Sequence, residues 1–308
     1  MKAKKVLIIG GNGFIGMNLA KTLAERGCLV TSFDLAKPSW ELPGVDYIAG
    51  DFFDTQTLEG ILKGMDAVVH AISTINPSNS NEKYMRGYEG DFLQSVRLCE
   101  MAVRHGVKLL FLSSGGTVYG NQEHQPITEA APTHPINHYA ALKLCIENVI
   151  RTFHAQQSGD MVIARISNPY GPGQDYHRGV GFIDAALKKS LTGEVMEIWG
   201  DGETIRDYVA IEDVCQMLCA LLEYEGPEDV FNISSGQGES QNDILRYLEE
   251  LGIDLKVVFK PSRNVDLKKT VLDNSRIRQI YTKPLKPFKE GILEYYTWLR
   301  EQKRQNEK

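Results

Sequence analysis

The sequence predicts an α/β fold, a doubly wound parallel sheet with a smaller C-terminal α/β lobe. Three observations support it. Apolar runs, several of them continuous, alternate with segments of helical period over the first half of the chain. A glycine-rich loop follows the first run, and the alternation stops after Asn168. Strands are predicted at 6–9, 29–33, 47–49, 67–69, 109–112 and 162–166, with helices at 14–26, 58–63, 90–105 and 139–156.

Proline and glycine interrupt the chain directly after this alternating half, in the run Pro169-Tyr170-Gly171-Pro172-Gly173. We therefore predict two units, residues 1–169 carrying the sheet and residues 170–308 forming a smaller lobe that caps its open edge. A segment near 206–225 is expected to pack back on the first unit. Further helices are predicted at 182–191, 211–223, 243–251 and 288–300.

The composition is that of an ordinary soluble globule. The chain has 308 residues, 42% of them apolar and 24% charged, and a formal net charge of −6. This charge argues against a general nucleic-acid surface. The first apolar run is too short for a signal peptide, and no run approaches the length of a membrane span. Five cysteines without a CxxC pair suggest buried thiols in a reducing cytoplasm.

The glycine-rich loop Gly10-Gly11-Asn12-Gly13-Phe14-Ile15-Gly16 lies between the first strand and the first helix. Glycine permits a tight turn and close approach to a pyrophosphate, which the helix N-terminus attracts. Glycine also marks plain turns, but here Asp34 ends the second strand, where an acid can bind an adenosine ribose and repel a 2′-phosphate. Together these signals predict a Rossmann domain in residues 1–169 that prefers NAD to NADP.

Asp51 follows the third strand, in the run Gly50-Asp51-Phe52. It is placed to meet the adenine amino edge, or else to cap the helix that starts nearby. The residues alone favour neither reading.

Tyr139 and Lys143 are four residues apart on a predicted helix, so they share one face. A lysine charge and the positive ring of the cofactor both favour a phenolate, which takes a proton from a hydroxyl group. A tyrosine and a lysine at this spacing can also be a surface pair of little consequence. This pair, however, follows the run from Ser113 to Gly120, which ends the fifth strand at the edge where ligands bind in such folds.

These motifs resemble the nucleotide-sugar epimerase/dehydratase branch of the extended short-chain dehydrogenases. GGNGFIG, SSGGTVYG, YAALK, RISNPYGPG and WGDGETIRDYVAIEDV occur in the expected order over nearly the whole chain. The resemblance implies that Tyr139 and Lys143 are the catalytic pair and that residues 170–308 bind the substrate. The predicted cofactor-binding residues are Gly10, Gly13, Phe14, Ile15, Gly16, Asp34, Asp51, Phe52, Ala71, Ser113, Tyr139 and Lys143.

The same resemblance places Asn168 beside the nicotinamide and the substrate. It assigns Arg206 and Arg263 to the substrate diphosphate, whose oxygens suit the planar fork of arginine. Taken singly, either arginine would be an ordinary surface charge. No metal is implied, and a homodimer through helices 90–105 and 139–156 is expected from the family.

The chain departs from the family where relatives carry Ser or Thr three residues before the Val of VYG, because that position is Gly115. If the backbone there is extended, Thr117 projects to the same side as residue 115. Thr117 is therefore our candidate for the hydroxyl that bridges tyrosine and sugar, and Ser114 is the alternative.

Thr117 also bears on the reaction. Dehydratases and decarboxylases of this branch place Glu directly before VYG, and epimerase-reductases of the GDP-fucose type place Cys there. The reactions that remain are those of a 4-epimerase and a 4-keto reductase. Asp34 favours NAD that stays bound, which suits a 4-epimerase acting through a transient 4-keto sugar. A non-enzymatic dinucleotide sensor is the alternative from another class, although such proteins tend to lack the tyrosine–lysine pair.

Thr270 lies seven positions after Arg263. In UDP-hexose 4-epimerases that resemble this chain, a tyrosine at this position blocks acetamido sugars and a smaller residue admits them. We therefore expect UDP-glucose and UDP-GlcNAc as substrates. The alternative is that Thr270 merely starts a strand with Val271 and never contacts substrate.

Overall fold

A computed structural model describes residues 4–157, 159–178, 181–262 and 267–306. Its centre is a parallel sheet of seven strands in the order β3-β2-β1-β4-β5-β6-β11, which confirms the predicted fold class. These strands are β1 Lys5–Ile9, β2 Leu29–Asp34, β3 Val45–Ala49, β4 Ala67–His70, β5 Lys108–Ser114, β6 Met161–Ile166 and β11 Val230–Ile233. The shorter strands are β7 Asn168–Tyr170, β8 Met196–Trp199, β9 Ile205–Arg206, β10 Tyr208–Ala210, β12 Glu239–Ser240, β13 Val257–Lys260 and β14 Lys269–Thr270.

Helices cover both faces of the sheet. In the first half they are α1 Phe14–Glu25, α2 Thr55–Leu62, α3 Ser80–Arg86, α4 Leu93–His105, the single turn α5 Gly115–Val118 and α6 His138–Gln157. A π-helical segment, Gly87–Phe92, joins α3 to α4, and a 3₁₀ turn spans Tyr176–Arg178. The second half contains α7 Phe182–Thr192, α8 Ile211–Glu223, α9 Gln241–Glu250, α10 Ser275–Ile280 and α11 Phe288–Asn306.

The continuous apolar character of the strands follows from burial on both faces. In β1, Val6 and Ile8 join a core with α1 and α8, whereas Leu7 and Ile9 join a second core with α4 and α6. Successive residues of a strand point to opposite faces, so one short apolar run supplies both cores.

Helix α8 packs against α1. Strand β11 pairs with β6 as the seventh strand of the main sheet. A separate core of the C-terminal lobe lies among α7, α9 and α11 and includes Ile183, Ile244 and Tyr295. The division at residue 169 itself stays a prediction.

The five cysteines are unpaired. Cys99, Cys215 and Cys219 are buried as expected, but Cys28 is half-buried and Cys145 is exposed. Within the described residues, no helix is both long and apolar enough to cross a membrane.

Candidate active site

The strand order reverses between β1 and β4, and the glycine-rich loop leaves the sheet there. Gly10 has φ 85°, and a Cβ on it would lie 2.9 Å from the Ile72 nitrogen. A Cβ on Gly16 would lie 2.3 Å from the Gly10 carbonyl oxygen. The loop therefore requires glycine at both positions, as a close backbone cradle for a pyrophosphate does.

The N-terminus of α1 opens from this loop. Gly13 is its N-cap and provides no side-chain cap, and the first turn contains no acidic residue. The N–H groups of Phe14 and Ile15 belong to the first turn, whose donors have no partner within a helix. Unpaired donors and the positive end of the helix dipole fit a dinucleotide diphosphate.

Asp34 lies at the carboxyl end of β2, beside the glycine loop. Its Oδ2 accepts the N–H of Asn12 at 3.0 Å, and its Oδ1 accepts the N–H of Leu35 at 2.8 Å. Each carboxylate oxygen has a further lone pair. Asp34 therefore holds the loop in place and still has acceptors for ribose hydroxyls.

The other predicted cofactor residues occupy different environments. Ala71 follows β4 and borders the position that a Cβ on Gly10 would take. Asp51 is exposed and accepts the N–H of Phe53, whereas α2 is capped by Asp54. The helix-cap reading of Asp51 is therefore wrong. Phe52 is only 3% exposed, and its ring belongs to the core.

Tyr139 and Lys143 lie on one face of α6, with the Lys143 Nζ 5.6 Å from the Tyr139 ring centroid. Lys143 Nζ donates to the Leu112 carbonyl at 2.9 Å. Burial lowers the pKa of Lys143 to about 8, against the opposing charges of Asp91 and Glu147. Burial and the Asp91 charge raise the pKa of Tyr139 to about 12, which a hydrogen bond with Ser114 opposes. Without cofactor the pair therefore rests as ammonium and neutral phenol at pH 7.

The segment after β5 is not extended, so the premise that led to Thr117 is wrong. Residues Gly115–Val118 form the turn α5, and a Cβ on Gly115 would face the Arg165 carbonyl at 2.9 Å. A hydrogen bond from Ser114 lowers the pKa of Tyr139, which favours Ser114 over Thr117 as the hydroxyl beside the phenol, and Thr117 Oγ1 donates to Ser114 Oγ at 2.9 Å. Glycine at 115 lets this turn lie against the Arg165 carbonyl, where a Cβ would not fit.

Ser113, a predicted cofactor residue, is buried and donates its hydroxyl to Glu147. Glu147 lies one turn after Lys143 on α6 and also pairs with the buried Arg165 of β6, at 2.6 Å. These contacts fix α6 against β5 and β6. Sequence reasoning missed both members of this ion pair, because Arg165 lies in an apolar strand and Glu147 resembles any helical surface acid.

The predicted substrate residues converge on Asp207. The backbone and side-chain N–H groups of Asn168 both donate to the Asp207 carbonyl, at 3.1 Å each. Thr270 pairs in register with Arg206, and its carbonyl accepts the Asp207 N–H. Asn168 also borders α5, since a Cβ on Gly116 would lie 3.7 Å from its Oδ1. Arg263 lies outside the described residues.

These features define a Rossmann-fold enzyme with a tyrosine–lysine pair at the carboxyl edge of its sheet. Residues 6–234 match the model of the NAD dependent epimerase/dehydratase family. The match covers more than half of the chain, and the chain belongs to this family, as its motifs predicted. Its cofactor is accordingly NAD, and its substrate class is nucleotide sugars.

Characterised relatives span more than one reaction. The chain is 28% identical to a protein described as a putative UDP-glucose 4-epimerase of Methanocaldococcus jannaschii, over 97% of this chain and 99% of the relative. It is 29% identical to dTDP-4-dehydro-6-deoxyglucose reductase of Escherichia coli, over 95% and 97% of the two chains. The family alone therefore does not choose between epimerase and reductase.

Solved structures are similar over the whole chain. The UDP-glucose 4-epimerase of Thermotoga maritima, solved with UDP-glucose, superimposes with a TM-score of 0.90 at 29% identity, over 97% of this chain and 99% of that one. The UDP-N-acetylglucosamine 4-epimerase of Methanobrevibacter ruminantium, solved with UDP-N-acetylmuramic acid, also has a TM-score of 0.90, at 28% identity over 98% and 100%.

Proposed function

We propose that this protein epimerises C4 of a UDP-hexose, of the UDP-glucose or UDP-GlcNAc type, through a transient 4-keto sugar. The observation that carries the proposal is the make-up of the site beside Tyr139. The turn α5 supplies the hydroxyls of Ser114 and Thr117 and no carboxyl group. Elimination of water needs an added acid–base group at this turn, whereas epimerisation needs one proton acceptor and a hydride carrier.

The tyrosine–lysine pair and the two arginines have separate roles in this reaction. Tyr139 accepts the C4 hydroxyl proton and later returns it, and the Lys143 ammonium stabilises the phenolate in between. Arg206 and Arg263 hold the diphosphate, so that the sugar can turn while the nucleotide stays bound. NAD, which the glycine loop and Asp34 would hold, would supply the hydride acceptor and donor that inversion at C4 requires.

Incubation with a panel of UDP- and dTDP-hexoses, with the products resolved by NMR, tests the proposal. We expect Tyr139→Phe to lower kcat by about 10²–10⁴-fold, because the phenol is the proton acceptor, while NAD stays bound. Tyr296→Phe on α11 is the matched control and should retain activity. Wild-type turnover by Tyr139→Phe would contradict the assignment.

A 4-keto reductase is the second candidate, because the reductase from Escherichia coli is as similar to this chain as the epimerases are. The same panel separates the two functions when it includes a dTDP-4-keto-6-deoxyhexose. Stoichiometric consumption of reduced cofactor without C4 epimers would identify a reductase. Retained NAD with no turnover of any sugar would instead indicate a sensor.

Thr270 supports a pocket that admits an acetamido group at C2. It is 1% exposed, and its Oγ1 has no hydrogen-bond partner among the described residues. It pairs in register with Arg206, so it borders the strand assigned to the substrate. Because the Thr270 side chain is small, it leaves room for the acetamido group. Its hydroxyl can donate a hydrogen bond to the acetamido carbonyl oxygen.

We expect Thr270→Tyr to lower kcat/KM for UDP-GlcNAc by at least tenfold relative to UDP-glucose, because the ring would fill this space. Thr270→Ser, which keeps the hydroxyl and the small volume, should retain the wild-type ratio. Steady-state kinetics with both sugars measures this ratio. An unchanged ratio in Thr270→Tyr would show that Thr270 is not the gate.

A further inference from the structure

Asp91 is a buried carboxylate beside the catalytic pair that the mechanism above does not use. It lies in the π-helical segment Gly87–Phe92, a form of helix that is rare and often occurs at functional sites. Its side chain is 2% exposed. Its Oδ2 accepts the Ser73 hydroxyl at 2.9 Å and the Thr74 N–H at 2.7 Å. The carboxylate is thereby fixed to the loop that follows β4.

The backbone of Asp91 is anchored from the core side. Ser95 Oγ donates its one proton to the Asp91 carbonyl at 2.6 Å, so it must accept from His70 Nε2 at 2.7 Å. Burial lowers the pKa of His70 to about 3, so this imidazole is neutral and adds no charge. The position of Asp91 is therefore set by the end of β4, by the loop that follows it, and by helix α4.

The second oxygen of this carboxylate makes no such contact. Within the described part of the chain, Asp91 Oδ1 is buried and has no hydrogen-bond partner. A buried carboxylate oxygen without a donor is costly. The carboxylate charge is countered only by the Ser73 hydroxyl and the Thr74 N–H on the other oxygen, and because it is buried it acts on ionisable neighbours more strongly than an exposed charge would.

The π-helical segment packs on α6 directly before Tyr139, where the Tyr88 hydroxyl lies 3.0 Å from His138 Nδ1. The ionisable neighbours of Asp91 on this side are the two catalytic residues. Asp91 raises the pKa of Tyr139, in the same direction as burial, and raises that of Lys143, against the effect of burial. The other polar groups facing the pair are Glu147 on α6, which is engaged by Arg165, and Ser114 at the end of β5. The neutral His70 at the end of β4 also faces the pair, since burial and the Lys143 charge together lower its pKa. Among the described residues, the Asp91 carboxylate contacts the Ser73 hydroxyl and the Thr74 N–H and forms no ion pair.

We propose that Asp91 is a positioning residue of the tyrosine–lysine pair, which keeps Lys143 as an ammonium and disfavours negative charge on Tyr139 until the positively charged cofactor is in place. This inference deepens the proposed function, since it concerns the same site. It makes activation of the base depend on the cofactor: the phenol ionises only when a second positive charge joins Lys143 and offsets Asp91.

The test is a titration of Lys143 that needs no turnover. Protein labelled with ¹³C at lysine Cε is titrated by NMR without added sugar, and the Lys143 signal is assigned by its loss in Lys143→Arg. In wild type we expect a midpoint near 8. Asp91→Asn should lower it by about 1 pH unit or more, because a nearby opposite charge is removed.

Two controls separate charge from structure. Asp46→Asn removes one exposed charge from β3 and should leave the midpoint unchanged. Asp91→Glu keeps the charge and should stay near the wild-type midpoint. If Asp91→Asn does not fold, Asp91→Ser provides the same uncharged comparison. An unshifted Lys143 midpoint in a folded, uncharged variant overturns the inference.

A kinetic arm uses the sugar that the wild-type protein turns over. The ascending limb of the kcat profile, which reports ionisation of Tyr139, should move to lower pH in Asp91→Asn, because the repelling charge is gone. A purely structural role would lower kcat at all pH values without moving the limb, which would also overturn the inference. Absence of turnover in wild type would refute the proposed function and leave the NMR result to decide the role of Asp91.

Discussion

Ser114 and Thr117 form a short chain of hydroxyls that ends at Tyr139. Thr117 donates to Ser114 at 2.9 Å, and a hydrogen bond from Ser114 lowers the pKa of Tyr139, whereas Thr117 is not among the groups that shift it. Thr117 therefore acts on the phenol through Ser114. This arrangement favours Ser114 as the hydroxyl that replaces the family Ser or Thr, with Thr117 in support.

We expect Ser114→Ala to lower kcat about tenfold, since a net hydrogen bond is worth about 0.5–1.5 kcal/mol. Thr117→Val should have a smaller effect, because the Ser114 hydroxyl remains beside Tyr139. Steady-state kinetics of the two variants gives the order. Thr117→Ser, which retains the donor, is the control and should match wild type. The opposite order would return the bridging role to Thr117.

The sequence supplied the right residue types at this turn but not the geometry. Parity along an extended strand selected Thr117, and that argument holds only while the chain remains a strand. The chain leaves the sheet directly after Ser114, and Gly115 lets this turn lie close to the Arg165 carbonyl. Which of two adjacent hydroxyls faces Tyr139 depends on that turn, so the pattern of side chains alone could not decide it.

At the scale of elements, the loop between β1 and α1 is the part that the sequence defines best. Gly16→Ala would place a Cβ 2.3 Å from the Gly10 carbonyl oxygen and 2.9 Å from the Gly11 Cα. Both are backbone atoms, so the loop itself must move. We expect NAD affinity to fall at least tenfold, measured by calorimetry on protein freed of cofactor.

Gly60→Ala is the matched control for this substitution. Gly60 lies within α2, is exposed, and has open space where a Cβ would project. Alanine is favoured over glycine in a helix by about 0.5–1 kcal/mol, so this variant should unfold at a slightly higher temperature and bind NAD normally. Equal NAD affinity in both variants would show that the close contact at Gly16 is not needed for the cofactor.

The segment before α4 shows where prediction at this scale ends. A single helix was predicted at 90–105, whereas the structure has α3 Ser80–Arg86, the π-helical segment Gly87–Phe92 and then α4. Residues 80–92 have Tyr84, Tyr88 and Phe92 at helical spacing, but Gly87 and Gly90 interrupt the run and lower its helix propensity, so the pattern does not define where each helix begins. Asp91 lies in this stretch, and its approach to α6 was therefore not foreseeable from the sequence.

For the molecule as a whole, Asp207 joins the sheet to the C-terminal lobe. Its carboxylate accepts the N–H groups of Ser235 at 2.9 Å and Gly236 at 3.2 Å, after β11, and that of Leu272 at 3.2 Å, after β14. Its carbonyl holds Asn168. These segments are far apart in the sequence, so their convergence on one carboxylate could not be read from a motif.

Asp207 also predicts how the molecule responds to acid. Burial raises the pKa of Asp207 to about 6, although hydrogen bonds from Ser235, Leu272 and Gly236 lower it. Because the folded-state pKa exceeds the unfolded value, the folded state takes up a proton that the unfolded chain does not bind between about pH 6 and 4. Protonation through this window therefore stabilises the fold, by about 1 kcal/mol at pH 5.

The test compares wild type with Asp207→Asn, which cannot titrate. Between pH 7 and pH 5 the free energy of unfolding, from denaturant titration, should rise by about 1 kcal/mol in wild type relative to the variant. Over the same range KM for the nucleotide sugar should rise in wild type, because a protonated carboxyl no longer accepts from every N–H group that aligns β9 and β14. The same pH dependence of the unfolding free energy and of KM in both proteins would mean that Asp207 does not titrate in this range.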